Sequence, residues 1–500
     1  MAMRINHNDI IQGFCIIVIV RPIKFRKEFI PVFLISLLFF VAYLILSLVK
    51  YAHYQTGYDL SIDSQIVWEF SRFSIPISSV HAYAFTPVFW DHIEFIYALI
   101  APFYWIFADA RTLLILQVTF FILSGVPIFL LCKKYKINNV LSYSILISYF
   151  TFYGVQNALY SDVHSLVFGV SLLAYFIYFL DVQKKLPAFI FFILAMTSKE
   201  DMGLLTFLIA FVYFAKNRQR INIHIMFISA IYVGFIFSVY YPHTPLGYMY
   251  ANKNGLLSNL NLLNFFNTVS KREVIFYSLL QYGFIPLLNP LSLIPFVGDL
   301  AHYFVVGNDS AVAAQTIFLH YRVTDALLLT WPLILAIGKF KKLNSKYLAV
   351  YILLFSFLVT YLLHSPLTYL SKQWFWTEPT GVKNINKILT YLPGDAYVAA
   401  QTNIASHISN RKLIVTVWGD SHSFVKNSPC GEPSCQWLKW AGNPKYLIVD
   451  TVPEWNIINL LANRPDFIAG LQNMEKMGVI KKYKQVGTSI IYKIEKKPSA

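Results

Sequence analysis

Long apolar runs separated by short charged loops set the pattern of the chain, beginning at residues 29–49, where every side chain is apolar, aromatic or a hydroxyl. Runs of about 20 such residues match the length a bilayer demands. Their apolarity is continuous rather than alternating, which predicts helices, because only helices and closed barrels satisfy backbone groups in lipid. Arg21, Lys24, Arg26 and Lys27 precede the first run and put its start on the cytoplasmic side by the positive-inside rule. Residues 10–20 resemble a signal-peptide core but lack a small-residue cleavage site, so they read as a retained cytoplasmic or interfacial segment.

A long outer segment, 50–110, follows with Asp59, Asp63, Glu69, Asp91, Glu94 and Asp109. Its apolar stretches, 62–70 and 93–107, are short and flanked by acids, which predicts helices lying in the membrane plane. Residues 112–131 return inward to Lys133-Lys134-Tyr135-Lys136, 140–153 lead out to a loop with Asp162 and His164, and 166–180 descend to Lys184-Lys185. Residues 186–215 have bases at both ends and must form a hairpin. Each arm has about fourteen residues, which at roughly 1.5 Å apiece cover about 21 Å of an apolar layer nearer 30 Å. Lys199-Glu200-Asp201 at its tip therefore sit below the outer surface. Residues 221–241 lead out, a proline-broken pair occupies 274–304, 323–337 lead in and 347–363 lead out, for about eleven spans in all.

From residue 364 the composition shifts toward Gly, Asn, Asp and charge. The pattern predicts helices at 384–392 and 404–408, strands at 396–400, 413–417 and 446–450, and a β-hairpin of 481–486 and 489–494 around Gly487-Thr488. The expected fold is therefore mainly α: a polytopic helical membrane domain, 1–363, followed by a small extracytoplasmic α/β domain, 364–500. That domain carries no glycine-rich phosphate loop and no Cys/His zinc spacing.

Composition agrees: 57% of the 500 residues are hydrophobic and 13% charged, too apolar for a soluble protein of this length. The formal charge of +16 sits mainly in short loops and the C-terminal tail, as topogenic charge rather than a nucleic-acid footprint. Cys430 and Cys435 flank the turn Gly431-Glu432-Pro433-Ser434 and are either a small disulfide loop or two thiols. Asn308-Asp309-Ser310 is a glycosylation sequon, a triplet that also arises by chance.

Ionisable residues recur at the outer ends of the spans, where burial at membrane depth costs on the order of 2.5–3.5 kcal/mol each. Asp59 and Asp63 are four apart and share a helix face. Desolvation suits either to act as a general base toward a hydroxyl, although Asp also favours helix N-caps. Asp162 with His164, and Asp91 with His92, offer oxygen and imidazole donors for a divalent ion such as Mn²⁺, Mg²⁺ or Zn²⁺, or are ordinary loop and cap residues. Lys199 is placed to pair with a lipid phosphate, and Glu200 or Asp201 to hold it or join a metal; the alternative is a salt bridge that stabilises the hairpin. His320-Tyr321-Arg322 adds a guanidinium suited to phosphate, or an interfacial anchor. Together these groups suggest attack of a hydroxyl on a lipid phosphate-linked group, with metal or bases stabilising the departing phosphate.

The layout resembles the GT-C superfamily of membrane glycosyltransferases, which use polyprenyl- or dolichyl-phosphate sugars. It is more closely similar to an uncharacterised archaeal and bacterial family of predicted membrane proteins often grouped near GT-C. The stretches that carry this are Gly57-Tyr58-Asp59-Leu60-Ser61-Ile62-Asp63-Ser64-Gln65, Ser161-Asp162-Val163-His164, Ser198-Lys199-Glu200-Asp201 and His320-Tyr321, with Leu392-Pro393-Gly394-Asp395-Ala396, Ser406-His407-Ile408-Ser409-Asn410-Arg411 and Tyr446-Leu447-Ile448-Val449-Asp450 in the tail. The resemblance implies an inverting transfer of a sugar from a polyprenyl-phosphate donor to a glycan or protein acceptor on the outer face of the cell membrane. Asp59 would be the base with Asp63 as its substitute, Asp162 the acid of the second outer loop, and the tail an aid to acceptor binding. No adjacent acidic pair stands in the first loop and no Trp-Trp-Asp-like motif in the tail, which argues against oligosaccharyltransferase activity. The competing expectations are a lipid or solute transporter or flippase, and a non-catalytic scaffold.

Overall fold

In the computed structural model the described residues are 27–81, 85–247, 262–306, 312, 314–419, 436–452 and 464–495. The segment 10–20, the sequon at Asn308 and the pair Cys430 and Cys435 lie outside them.

The chain is mainly helical. Among the described residues four helices are long and apolar enough to cross a membrane: Phe29–Ala52, Ala110–Lys134, Arg220–His243 and His320–Lys339. Shorter apolar helices include Asn139–Phe150, Ser165–Asp181, Lys185–Met196, Met202–Asn217 and Lys346–Leu362. Phe29–Ala52 exposes Ile30, Phe33, Leu34, Leu37, Leu38 and Val41 at helical spacing while it buries Phe39, Tyr43 and Leu46. Such a stripe suits acyl chains on one side and protein on the other. The buried face is pinned by hydroxyls: Ser47 donates to the Leu159 carbonyl at 2.6 Å, and Tyr43 to that of Phe150.

The expected hairpin is present as Lys185–Met196 and Met202–Asn217, with Lys199, Glu200 and Asp201 in the bend between them. The outer segment differs in detail from its expected form. Its first helix starts earlier, as Tyr58–Ser71, and its second is a short Ile96–Ile100 running into the 3-10 turn Ala101–Trp105, where Pro102 sits in the first turn. The proline-broken pair is the helix Val269–Leu280, two 3-10 turns at Ile285–Leu288 and Pro290–Leu293, and the helix Ile294–Ala301. Each turn has proline at its start, where a missing N–H costs least.

The tail forms a five-stranded sheet in the order Ile414–Thr416, Val398–Ala400, Tyr446–Asp450, Ser489–Ile494, Ile480–Val486. The first three strands run parallel and the last two pairings are antiparallel. The helix expected at 404–408 is a single turn, Thr402–Ala405, and the helix Arg464–Lys476 was not expected at all. One of the two tail cores takes in Tyr54 and Val80 from the outer segment, so the sheet is docked against that segment.

Candidate functional site

The helix Tyr58–Ser71 is held at its start by a side chain from elsewhere. Gly57 N–H and Leu60 N–H donate to the two oxygens of Asp162, at 2.8 and 3.3 Å, and Lys50 Nζ lies 3.7 Å from the same carboxylate. An anion at a helix N-terminus satisfies free N–H groups and the macrodipole together. Glycine at 57 leaves room for the cap, since a Cβ there would stand 2.8 Å from Asp162 Oδ2 and push the carboxylate aside. The helix then presents Asp59, Ile62, Asp63 and Ile66 to a cavity of about 170 Å³.

Four further segments complete the cavity: Asp91, His92 and Glu94 of the outer segment, His164 and Ser165 at the start of Ser165–Asp181, Lys199 in the hairpin bend, and His320 and Tyr321 in the turn His320–Arg322. A backbone bond from Ile96 N–H to the Thr197 carbonyl, 2.8 Å, ties the outer segment to the hairpin tip. Of the residues singled out from sequence, Asp59, Asp63, Asp91, His92, His164, Lys199 and His320 thus face one space. Asp162, Glu200 and Arg322 do not line it. Asp162 caps the helix behind the wall. Glu200 is fully buried, receiving Ile93 N–H at 3.1 Å and holding His92 Nδ1 at 2.8 Å. Arg322 is fully buried 3.6 Å from Asp325, away from any outward phosphate.

The carboxylates and bases occupy different electrostatic states. Asp59 is exposed to the cavity space yet enclosed by protein, and loss of bulk water with Asp162 and Glu94 nearby pushes it up to about 7. Asp63, which accepts the Tyr97 hydroxyl at 2.7 Å, is raised well above the carboxylate range by burial and by Glu94. Glu94 accepts the Ser165 hydroxyl at 2.5 Å and is also raised by burial. Burial alone would raise Asp91, but His92 and His81, the latter 3.0 Å away, hold it below its usual range. His92 is carried up to about 9: Asp91 and Glu200 outweigh burial and Lys199. Burial would lower Lys199, but Asp201 and Glu200 keep it above the usual lysine range and charged. Its ammonium lies 5.7 Å from the centre of the Tyr321 ring. His164 is lowered to about 3 by burial and is neutral.

Among the described residues, ligand atoms of Asp59, His164 and His320 come within 4.8 Å of one another, a donor set whose chemistry suits Zn²⁺ or Mn²⁺. The ring geometry does not. Two imidazoles on one ion, with metal–nitrogen bonds of about 2.1 Å and ordinary angles, keep their centres roughly 4.5–5 Å apart. Here the centres are 3.4 Å apart and the planes 18° from parallel, a face-to-face stack. The set expected from sequence, Asp162, His164, Asp91, His92 and Glu200, is divided instead among the helix cap, the His164–His320 stack, the His81–Asp91 pair and the His92–Glu200 pair. No step below is routed through a metal.

Glu94, Tyr97, Ser165 and His81 are site residues that sequence reasoning passed over as candidates. Glu94 stands two positions after His92, and that adjacency was the available signal.

No curated protein matches the chain. The family described as Predicted membrane protein (DUF2079) matches residues 50–441, which include the whole cavity lining. The chain therefore belongs to that family of predicted membrane proteins.

Proposed function

We propose that the chain is a multi-pass GT-C-type glycosyltransferase that moves a sugar from a polyprenyl-phosphate donor to a hydroxyl of a glycan or protein acceptor at the outer membrane face. The observation that carries this is one cavity lined by a carboxylate near neutrality, Asp59, and by two cations, Lys199 and His92. The acceptor oxygen bonds to the anomeric carbon as the bond from that carbon to the phosphate oxygen breaks, and its proton passes to Asp59. A base that titrates near the working pH is both available and strong enough. Polyprenyl phosphate leaves with the electron pair, and Lys199 and protonated His92 offset its charge. Attack from the face opposite the leaving phosphate inverts the anomeric centre. The apolar helix faces around the cavity suit the lipid tail.

The test is release of free polyprenyl phosphate, read by mass spectrometry, from a panel of polyprenyl-phosphate sugars given to the chain in lipid nanodiscs with a mixed glycan acceptor. The wild type releases it from at least one donor; Asp59→Asn loses about 10²–10⁴-fold, and Lys199→Ala loses turnover as well. No release from any donor, or equal release by Asp59→Asn, overturns the proposal. The second reading, a transporter or flippase, draws on the fully buried pair Arg322 and Asp325, which adds charge outside the cavity lining. It predicts movement of intact donor between leaflets without cleavage in the same preparation.

A further inference from the structure

The tail motif Ser406-His407-Ile408-Ser409-Asn410-Arg411 does not line the cavity, yet most of it is committed to contacts outside the tail. The His407 ring lies between the rings of Tyr51 and Tyr54, with centres 4.0 and 3.7 Å away and planes within 19° and 15° of parallel. Both tyrosines stand where the first span leads into the acidic helix Tyr58–Ser71. Ser406 Oγ is 2.9 Å from Thr56 Oγ1, and the Tyr54 hydroxyl donates to Asn386 at 2.6 Å. Ser64 donates to Asn410 at 3.3 Å, one residue beyond Asp63.

Gln65 completes the grip. It is fully buried, and its amide nitrogen donates to Ser79 Oγ and to the carbonyls of Arg411 and Lys412, at 2.8, 3.0 and 3.3 Å. Its oxygen accepts from Ser79 N–H, Ser78 Oγ and Val80 N–H, at 2.9, 3.0 and 3.2 Å. Backbone donors on one side and backbone acceptors on the other fix the amide's orientation. The contacts enter the chain just before Asp59 and just after Asp63, so the two acids lie between the gripped points.

We propose that Ser406–Arg411 is a clasp, working through His407, Asn410 and Gln65, that holds the acidic helix so that Asp59 and Asp63 stay in the cavity. The three are positioning residues. The tail is then a part of the site rather than an appended module. This inference does not depend on which reaction the cavity performs.

The experiment uses the full chain in nanodiscs and needs no substrate: dicyclohexylcarbodiimide, an apolar reagent that modifies protonated carboxyls, with Asp59 labelling read by mass spectrometry at pH 7.5. With the clasp intact Asp59 keeps a protonated fraction and is labelled. A loosened helix hydrates and ionises it, so His407→Ala and Gln65→Ala label at least fivefold more slowly. His407→Phe restores the flat ring and labels within twofold of wild type. Asn410→Ala removes the bond from Ser64 and the one to the Ala108 carbonyl, both near the surface, and keeps the fold; it slows labelling at least twofold. Wild-type labelling in Asn410→Ala and in whichever of His407→Ala and Gln65→Ala folds, or failure of His407→Phe to restore it, overturns the clasp. Because labelling is read without donor or acceptor, failure of the transferase proposal leaves it intact.

Discussion

Replacing Asp162 by Ala removes a cap, and the structure sets the size of the effect. The carboxylate accepts from Gly57 N–H at 2.8 Å and from Leu60 N–H at 3.3 Å, and neutralises Lys50 at 3.7 Å. A hydrogen bond to a charged acceptor contributes about 1.5–3 kcal/mol, an N-cap about 0.5–2 kcal/mol and an anion at the macrodipole up to about 1 kcal/mol. These describe overlapping parts of one interaction, and the longer bond counts for less, so the net cost is about 2–4 kcal/mol. Asp162→Asn keeps an acceptor and loses the charge, for about 1 kcal/mol. At 1.4 kcal/mol per factor of ten, amides at the start of Tyr58–Ser71 should exchange with deuterium about thirty- to a thousandfold faster in the Ala variant, if they open locally. Hydrogen-exchange mass spectrometry on peptides covering 57–64 measures this. Exchange within threefold of wild type would refute the capping role and return Asp162 to the pool of candidate ion ligands.

Chelation gives a second check: dialysis against EDTA leaves donor release unchanged, because the stacked His164 and His320 rings do not converge on one ion. Activity that vanishes and returns with Mn²⁺ or Zn²⁺ would show that one ring swings out of the stack. A third concerns pH. His92 rises from 6.5 to about 9 in the folded chain, so its pairing with Asp91 and Glu200 stabilises fully below 6.5 and is lost as pH rises through 9. Thermal unfolding temperature should fall across that window in the wild type and fall less in Glu200→Gln; equal slopes would count against the pairing.

What was legible from sequence was what rests on local pattern. Apolar length marked the spans, and bases at both ends of 186–215 were enough to put Lys199, Glu200 and Asp201 in a hairpin bend. The four-residue spacing of Asp59 and Asp63 put both on one face, and both line the cavity. What failed rests on long-range contact. An acid two residues before a histidine looks the same whether it binds an ion or caps a helix a hundred residues earlier, as Asp162 does. Arg322 read as outward because it follows a loop, yet Asp325 one turn on draws it inward. The helix Arg464–Lys476 was missed because it is polar along most of its length, burying few side chains beyond Phe467, Leu471 and Met474. Gln65 closes the first family stretch, but its role was not legible there, since its partners at 411–412 lie more than three hundred residues away.

The proposed lipid-phosphate site is built of acids, imidazoles and an ammonium from separate segments. An experimental density map of the chain in nanodiscs with undecaprenyl phosphate tests it most directly. Phosphate density is expected within about 4 Å of Lys199 Nζ, a charge-assisted contact distance, with Asp59, His92 and His164 facing the same space. Phosphate bound elsewhere, or Asp59 and Lys199 opening into separate compartments, would contradict it.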